Sequence, residues 1–336
     1  MRARELSSLL GEVKPGKALV LCHHNADPDA VCSALALTEL LLALRPGMAI
    51  SCYAAEGVSK VSRRILDFLG FDFTEEVDVR EAEILFMVDT NNVELLEDLK
   101  DDVRERAREA PLVVIDHHAV HPDTARIAAL YIADEKASST CEIILRLYEE
   151  LGLEVSPKVA KALFLGIAYD TRHMLYADAR TFLAMAKLVE AGARPRELMP
   201  LLSAEMDYSE RVARLKACSR IRVFKFGEWL VAFSHVSAFQ ASVARAFLSL
   251  GAHLAIVAGE REGRLRVSMR ATEAFGSGTG IHLGRDIARP LGERIGGMGG
   301  GHALSAGANG VGEPEEAIEH CLDILSRLLG KGKELT

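Results

Sequence analysis

The sequence has no pair of cysteines in a CxxC arrangement, no excess of positive charge and no segment approaching the roughly 18 uninterrupted apolar residues of a membrane span. Each absence removes a class of function. The six cysteines, Cys22, Cys32, Cys52, Cys141, Cys218 and Cys321, are scattered, most inside apolar runs where a thiol packs as a small hydrophobe, which points to a reducing, cytoplasmic setting. Forty basic against 48 acidic residues leave a formal charge of −8, which argues against a general affinity for long nucleic acid built on phosphate neutralisation. Any phosphate site must therefore be local. The first residues, MRARELSSLLGEV, are amphipathic and charged without an apolar core, so no export signal is expected. The glycine-rich stretch GGMGGGHALSAG contains neither GK[ST] nor GxGxxG, which rejects a P-loop and a dinucleotide fingerprint.

What is present is an alternation. With 336 residues the chain suits two domains, each able to bury its own core. KALVLCHH, MAISCYAA, EILFMVDT and PLVVIDHH read as strands separated by helix-patterned segments, with ARIAALYIA as a candidate edge strand, so a largely parallel sheet covered on both faces is expected. SSTCEIILRLYEELG begins like a helix with a capping box, Ser139 with Glu142 three positions on, and stops at Gly152. From Pro157 to about Lys216 nearly everything has helical periodicity. Beyond Arg220 the alternation resumes with IRVFKF, WLVAFSHV, AHLAIVAGE and RLRVSMR, then helices near IHLGRDIARPLGERI and EEAIEHCLDILSRLL, the pattern of a second, smaller α/β domain. No fixed-period repeat occurs, and only the tail KGKELT is expected to be disordered.

Four clusters carry the chemistry: HHNADPD from His23, VDT at Val88 to Thr90, DHH at Asp116 to His118, and YDT at Tyr169 to Thr171. The first three follow strands. In an open parallel sheet reactive groups gather beyond the carboxyl ends of the strands, so these clusters are expected at one rim. Singly, Asp27 or Asp29, Asp89 and Asp116 each have a bland explanation as helix caps or turn residues. Together, so many carboxylates would repel one another unless cations lay between them. The donors are oxygen and imidazole without thiolate, which disfavours structural zinc and suits Mn²⁺ or Mg²⁺, with histidine tilting the choice to manganese. A carboxylate shared by two such ions would hold them about 3.5 to 4 Å apart, the spacing of two-metal phosphoryl chemistry.

HHNADPDA, VDT, DHH and YDT, in that order and followed by GGGH, resemble the signature of the DHH phosphoesterase superfamily with its DHH-associated C-terminal domain, over most of the chain from Lys17 to Ala308. The compact plan is similar to the nanoRNase and 3′-phosphoadenosine-5′-phosphate phosphatase branch, and RecJ exonucleases look alike in these motifs. The resemblance implies an α/β fold with a parallel-sheet, metal-binding catalytic domain over residues 1–190, a helical linker over 191–216 and a smaller substrate-binding α/β domain over 217–336. It implies His23, Asp27 and Asp89 as ligands of one manganese, with Asp29, Asp89, His117 and Asp170 as ligands of the other, Asp89 bridging. Magnesium is the alternative ion. His24 falls outside the H-x-x-x-D-x-D pattern and is expected to pack or to support the ligands. Asp116 would orient its neighbours and His118 would face the substrate phosphate. AVCSA stands where a glycine before the serine is common in the family, which touches only local packing.

Of 27 glycines, 12 fall between Gly276 and Gly310. Successive glycines let backbone N–H groups approach an anion, and a plain flexible loop has no reason to end in histidine. The resemblance implies that Gly299, Gly300, Gly301, His302 and Arg270 grip the far end of the substrate across an interdomain cleft, with the hinge in the helical linker. Arg270 otherwise reads as a solvated strand end, and the basic run RVARLKACSRIRVFK reads foremost as a solvated helix face. The activity so implied is metal-dependent hydrolysis of short RNA or DNA oligonucleotides, or of 3′-phosphoadenosine-5′-phosphate, in the cytoplasm, away from membranes and with a homodimer as one possible assembly. Cyclic dinucleotides or linear dinucleotides are the competing substrates. Manganese pyrophosphatases share the metal motifs but differ in the C-terminal domain, so GGGH argues against them, and a non-catalytic replication scaffold is disfavoured by the complete ligand set.

Overall fold

The computed structural model describes residues 2–203 and 206–335. The chain divides into two compact units, Met1–Ala204 and Glu205–Thr336. The first unit runs α1 (Arg2–Val13), β1 (Lys17–Cys22), α2 (Pro28–Leu44), β2 (Ala49–Ala54), α3 (Lys60–Leu69), β3 (Ile84–Val88), α4 (Lys100–Arg106), β4 (Leu112–Asp116), α5 (Pro122–Ile127) and β5 (Leu130–Ala133). Four helices follow: α6 (Thr140–Leu151), α7 (Pro157–Asp170), α8 (Ala179–Glu190) and α9 (Pro195–Leu202).

Its five strands form a wholly parallel sheet in the order β2-β1-β3-β4-β5, with β5 at the edge as its sequence suggests. Alternate residues feed two cores. Val20, Phe86 and Ile115 face α2, α6 and α7, while Leu19, Leu21, Leu85, Met87 and Val114 face Val93, Leu96 and Val103 on the other side. Strands buried on both faces must be apolar throughout, which is why KALVLC and ILFMV show no polar alternation. The apolar α2 is buried almost all round. The register has one decisive result: β1, β3 and β4, the strands that end in the acidic and histidine motifs, are neighbours. At about 4.8 Å between strands, their ends fall within about 10 Å of one another.

At the start of α6, the Ser139 hydroxyl accepts from the Glu142 amide at 3.1 Å, and Gly152 closes the helix at φ +65°. The Glu142 carboxylate reaches Ser138 N (3.1 Å) and Oγ (2.7 Å), one residue earlier than a capping box would have it.

The second unit contains α10 (Tyr208–Cys218), β6 (Arg222–Phe226), β7 (Trp229–His235), α11 (Gln240–Ser249), β8 (Leu254–Arg261), β9 (Arg264–Ala271), α12 (Glu273–Thr279), a π-helical turn (Leu283–Ala288), α13 (Arg289–Arg294), β10 (Met298–Gly301), β11 (Ser305–Gly310), α14 (Pro314–Leu329) and β12 (Lys333–Glu334). Its seven strands form a mixed sheet in the order β10-β11-β9-β8-β7-β6-β12, in which only β7 and β8 pair in parallel. The segment 191–216, expected as a linker, is shared between the units: α9 packs on α3 and α7, and α10 on α11. Residues 204 and 205 lie outside the described residues. The tail expected to be disordered is in part a strand, because β12 pairs with β6 and the Leu335 amide donates to Val223 O at 2.8 Å.

Candidate metal centre

Each acidic motif sits where the chain turns off its strand or helix, and each turn has a local cause. After β1 the chain passes through Asn25 at φ +49° to Asp27, which caps α2 by accepting from Asp29 N (3.0 Å) and Ala30 N (3.2 Å), with Pro28 at the first helical position. Asp29, one residue into the helix, is fully buried. Its Oδ2 accepts from Thr140 N at 2.7 Å and its Oδ1 from Cys141 N at 3.0 Å, the first amides of α6. Asp89 follows β3 at φ +52°, a left-handed conformation that aspartate tolerates better than most residues, and its amide donates to Ile115 O at 3.0 Å. Asp170 is the last residue of α7.

These turns bring together all six residues expected as ligands. Ligand atoms of His23, Asp27 and Asp89 lie within 4.8 Å of one another, as do those of Asp29, His117 and Asp170, and those of Asp89, Asp116, His117 and His118. Asp89 joins the groups: its Oδ2 is 3.9 Å from His23 Nε2 and its Oδ1 is 3.6 Å from His117 Nε2. A cavity of about 300 Å³ opens on them, lined by His23, Asp27, Asp89, Asn91, Leu95, His118 and Asp170. His24 stands apart, with Nδ1 3.6 Å from Glu97.

The histidine tautomers follow from their partners. His23 Nδ1 donates to His24 O at 2.8 Å, so in the neutral ring Nε2 carries no proton and presents a lone pair towards Asp27 and Asp89. His118 Nδ1 donates to Asp116 Oδ1 at 2.7 Å, and its amide donates to the same oxygen at 2.8 Å. This leaves Nε2 of the half-exposed His118 uncommitted.

The centre is short of positive charge. Burial, and then the charges of Asp29, Asp27, Asp116 and Asp170, push the Asp89 carboxyl well above the usual range; burial, and then Asp170 and Asp27, do the same to Asp29, and burial and Asp170 raise Asp27. Burial lowers His117, but its close approach to Asp170 and the charges of Asp89 and Asp116 outweigh that and raise it to about 9. The hydrogen bond to Asp116 raises His118. Asp116 Oδ2 and His117 Nε2 are buried without a hydrogen-bond partner, the latter 3.2 Å from Asp170 Oδ2 but out of bonding geometry. Orphaned buried polar atoms beside crowded carboxylates fit a site for divalent cations, and the oxygen and imidazole donors fit Mn²⁺ or Mg²⁺. Melting the protein in EDTA and then with excess Mn²⁺ should accordingly show a gain of about 2.7 kcal/mol per site at a hundred times the dissociation constant. No gain would remove the metal reading.

In the second unit Arg270 pairs in register with Ser305, and the His302 amide donates to Ser305 O at 2.8 Å, so Arg270 and the Gly299–His302 segment meet at one end of β9, β11 and β10. Arg270 has no carboxylate partner among the described residues; burial, and then the nearby Arg245, press against its charge. The three glycines differ in what they do. A Cβ on Gly299 would lie 1.7 Å from Ala288 O, and one on Gly301, at φ +135°, would lie 2.6 Å from Ser305 O, whereas Gly300 faces open space. Two of the three are therefore demanded by packing, and the sequence reading of a bare cradle missed that the stretch is strand.

The sequence reading also missed Thr140 and Cys141, whose amides hold Asp29; the signal, SSTC before an apolar run, had been read only as a helix cap. No helix among the described residues is long and apolar enough to cross a membrane.

Residues 17–167 match the DHH family, N-terminal domain, and residues 241–331 match the DHHA1 domain. The chain is 38% identical to "Uncharacterized protein MJ0988" of Methanocaldococcus jannaschii, over 90% of this chain and 89% of that protein. It is 26% identical to a "Probable bifunctional oligoribonuclease and PAP phosphatase NrnA" of Streptococcus mutans, over 62% of this chain and 63% of the relative. It is 27% identical to a "Probable manganese-dependent inorganic pyrophosphatase" of an Exiguobacterium species, over 67% and 72% of the two chains.

Proposed function

The chain belongs to the DHH superfamily, a DHH domain followed by a DHHA1 domain, and on that premise we propose that it is a manganese-dependent phosphoesterase that hydrolyses short oligonucleotides, 3′-phosphoadenosine-5′-phosphate, or both. Hydrolysis of phosphate esters is the activity class that membership carries. The observation that carries the reading furthest is the sharing of Asp89 between the His23–Asp27 group and the group containing His117. His23, Asp27 and Asp89 would hold one ion, and Asp29, Asp89, His117 and Asp170 the other. Bound there, the ions supply Lewis acidity at the phosphoryl oxygens and ready water for attack at neutral pH.

The remaining work falls to the chain. Asp116 fixes the His118 tautomer and ring, so that Nε2 is presented to a phosphoryl oxygen at the mouth of the cavity. In the second unit Arg270, His302 and the open Gly300 amide face are proposed to bind substrate, the arginine as the bidentate partner of an anion. The oligoribonuclease and phosphatase named among the relatives supports the nucleotide substrate, and the DHHA1 match argues for a nucleotide over pyrophosphate.

The deciding experiment presents the Mn²⁺-loaded protein with di- to pentanucleotide RNA, 3′-phosphoadenosine-5′-phosphate, cyclic di-AMP and pyrophosphate in parallel. Turnover of the short RNA or of 3′-phosphoadenosine-5′-phosphate, fastest of the four, is expected. Preferential turnover of pyrophosphate or cyclic di-AMP would replace the substrate, and inertness towards all four with metal bound would replace the enzyme by a scaffold.

A further inference from the structure

Thr140 places its amide and its hydroxyl on the carboxylates of two different residues. Inside a helix a threonine hydroxyl can return its proton to the carbonyl four residues back, as Thr38 does to Ala34 O (2.8 Å), and Thr171, which caps the C-terminus of α7, does the same to Ile167 O (2.6 Å). Thr140 is the first residue of α6, where no helical carbonyl precedes it, and its hydroxyl donates instead to Asp89 Oδ1 at 2.9 Å. Its backbone amide donates to Asp29 Oδ2 at 2.7 Å. One fully buried residue thus grips two carboxylates delivered by different parts of the chain, one after β3 and one at the start of α2.

We propose that Thr140 is a positioning residue that sets Asp29 and Asp89 relative to one another and so spaces the two metal positions; this rests on the metal reading of the site. A carboxylate that bridges two ions must present both oxygens in one rotamer. The hydroxyl occupies one lone-pair direction of Oδ1 and leaves Oδ2 and the remaining direction free, so its hydrogen bond holds Asp89 against turning. Partners that orient a ligand in this way are worth about 10- to 100-fold in metal affinity.

The test compares Thr140→Val, which keeps shape and loses the hydroxyl, with Thr140→Ser, which keeps the hydroxyl and loses the methyl. Mn²⁺ uptake by the chain without substrate is titrated by calorimetry or by electron paramagnetic resonance. The valine variant is expected to bind Mn²⁺ about 10- to 100-fold more weakly, with its turnover restored as Mn²⁺ is raised, and the serine variant to bind within a few-fold of the parent. A packing role would give the reverse order: serine loses stability, valine binds as the parent does, and Mn²⁺ rescues neither. That outcome overturns the proposal while leaving the phosphoesterase reading intact. A parent chain that takes up no Mn²⁺ overturns both. Should the valine variant fail to fold, the serine variant decides, since weakened Mn²⁺ binding with the hydroxyl present contradicts the proposal and parent-like binding supports it.

Discussion

Asp89→Asn is expected to lower kcat/KM on the order of a thousandfold or more while leaving the metal-free protein at least as stable as the parent. The loss follows from position. Asp89 contributes to groups on both sides of the centre, so one substitution would remove a ligand from both of the proposed cation positions, and the several kcal/mol of transition-state charge stabilisation that metals provide corresponds to at least that factor. The gain in the metal-free protein follows from charge. The Asp89 carboxyl is pushed well above its usual range by burial and by four neighbouring carboxylates, so in the folded, metal-free state its ionisation opposes folding at neutral pH. Its folded pKa being raised, that penalty appears as pH rises above the unfolded value, and a neutral amide never incurs it. Asparagine is the substitution of choice because it tolerates the φ of +52° and still offers Oδ1 to the Thr140 hydroxyl. Steady-state kinetics and a melt in EDTA check the two halves. Retained turnover would refute the bridging role, and a large loss of metal-free stability would mean that Asp89 is held for folding.

Gly299→Ala is expected to destabilise the second unit by about 3 kcal/mol or more, whereas Gly300→Ala leaves its stability unchanged and raises KM. The added methyl at Gly299 would meet the Ala288 carbonyl oxygen at 1.7 Å. That oxygen belongs to the backbone at the junction of the π-helical turn and α13, so the strand or the helix must move. Overpacking costs about 1 to 3 kcal/mol where side chains can adjust, and no side chain is available here to do so. At Gly300 nothing lies within 4 Å of the added carbon, and the methyl would project into open space. If substrate approaches that face, KM rises with little change in kcat, the signature of lost uniform binding. Urea melts of both variants and their Michaelis parameters separate the outcomes. Equal stability of the two would contradict the packing account of Gly299.

The contrast shows what was legible in the amino-acid order and what was not. The parallel sheet and the neighbouring chemistry of HHNADPD, VDT and DHH could be read because they depend on local properties, whereas the six ligand candidates came from the family resemblance. Unbroken apolar runs belong to strands buried on both faces, parallel strands all end on one side, and polar residues immediately after them must gather there. Asp170 was harder to place, since it ends a helix, and only the resemblance made it a ligand.

Contacts between residues far apart in sequence decided the rest. Asp29 and the Thr140 amide are 111 positions apart, and Asp89 and the Thr140 hydroxyl are 51 apart. No periodicity or cap rule links them, so SSTC looked like a helix start and nothing more. GGMGGGH read as an anion cradle, with no strand expected because glycine has low strand propensity, yet β10 pairs with β11 there and glycine lets that strand lie against the π-helical turn and α13. Composition and patterning alone determined which side chains this protein could bring to a rim of carboxylates and imidazoles. The packed fold alone decided which amides, hydroxyls and glycines hold that rim in place, because such partners are chosen by distance in space, which sequence separation does not report.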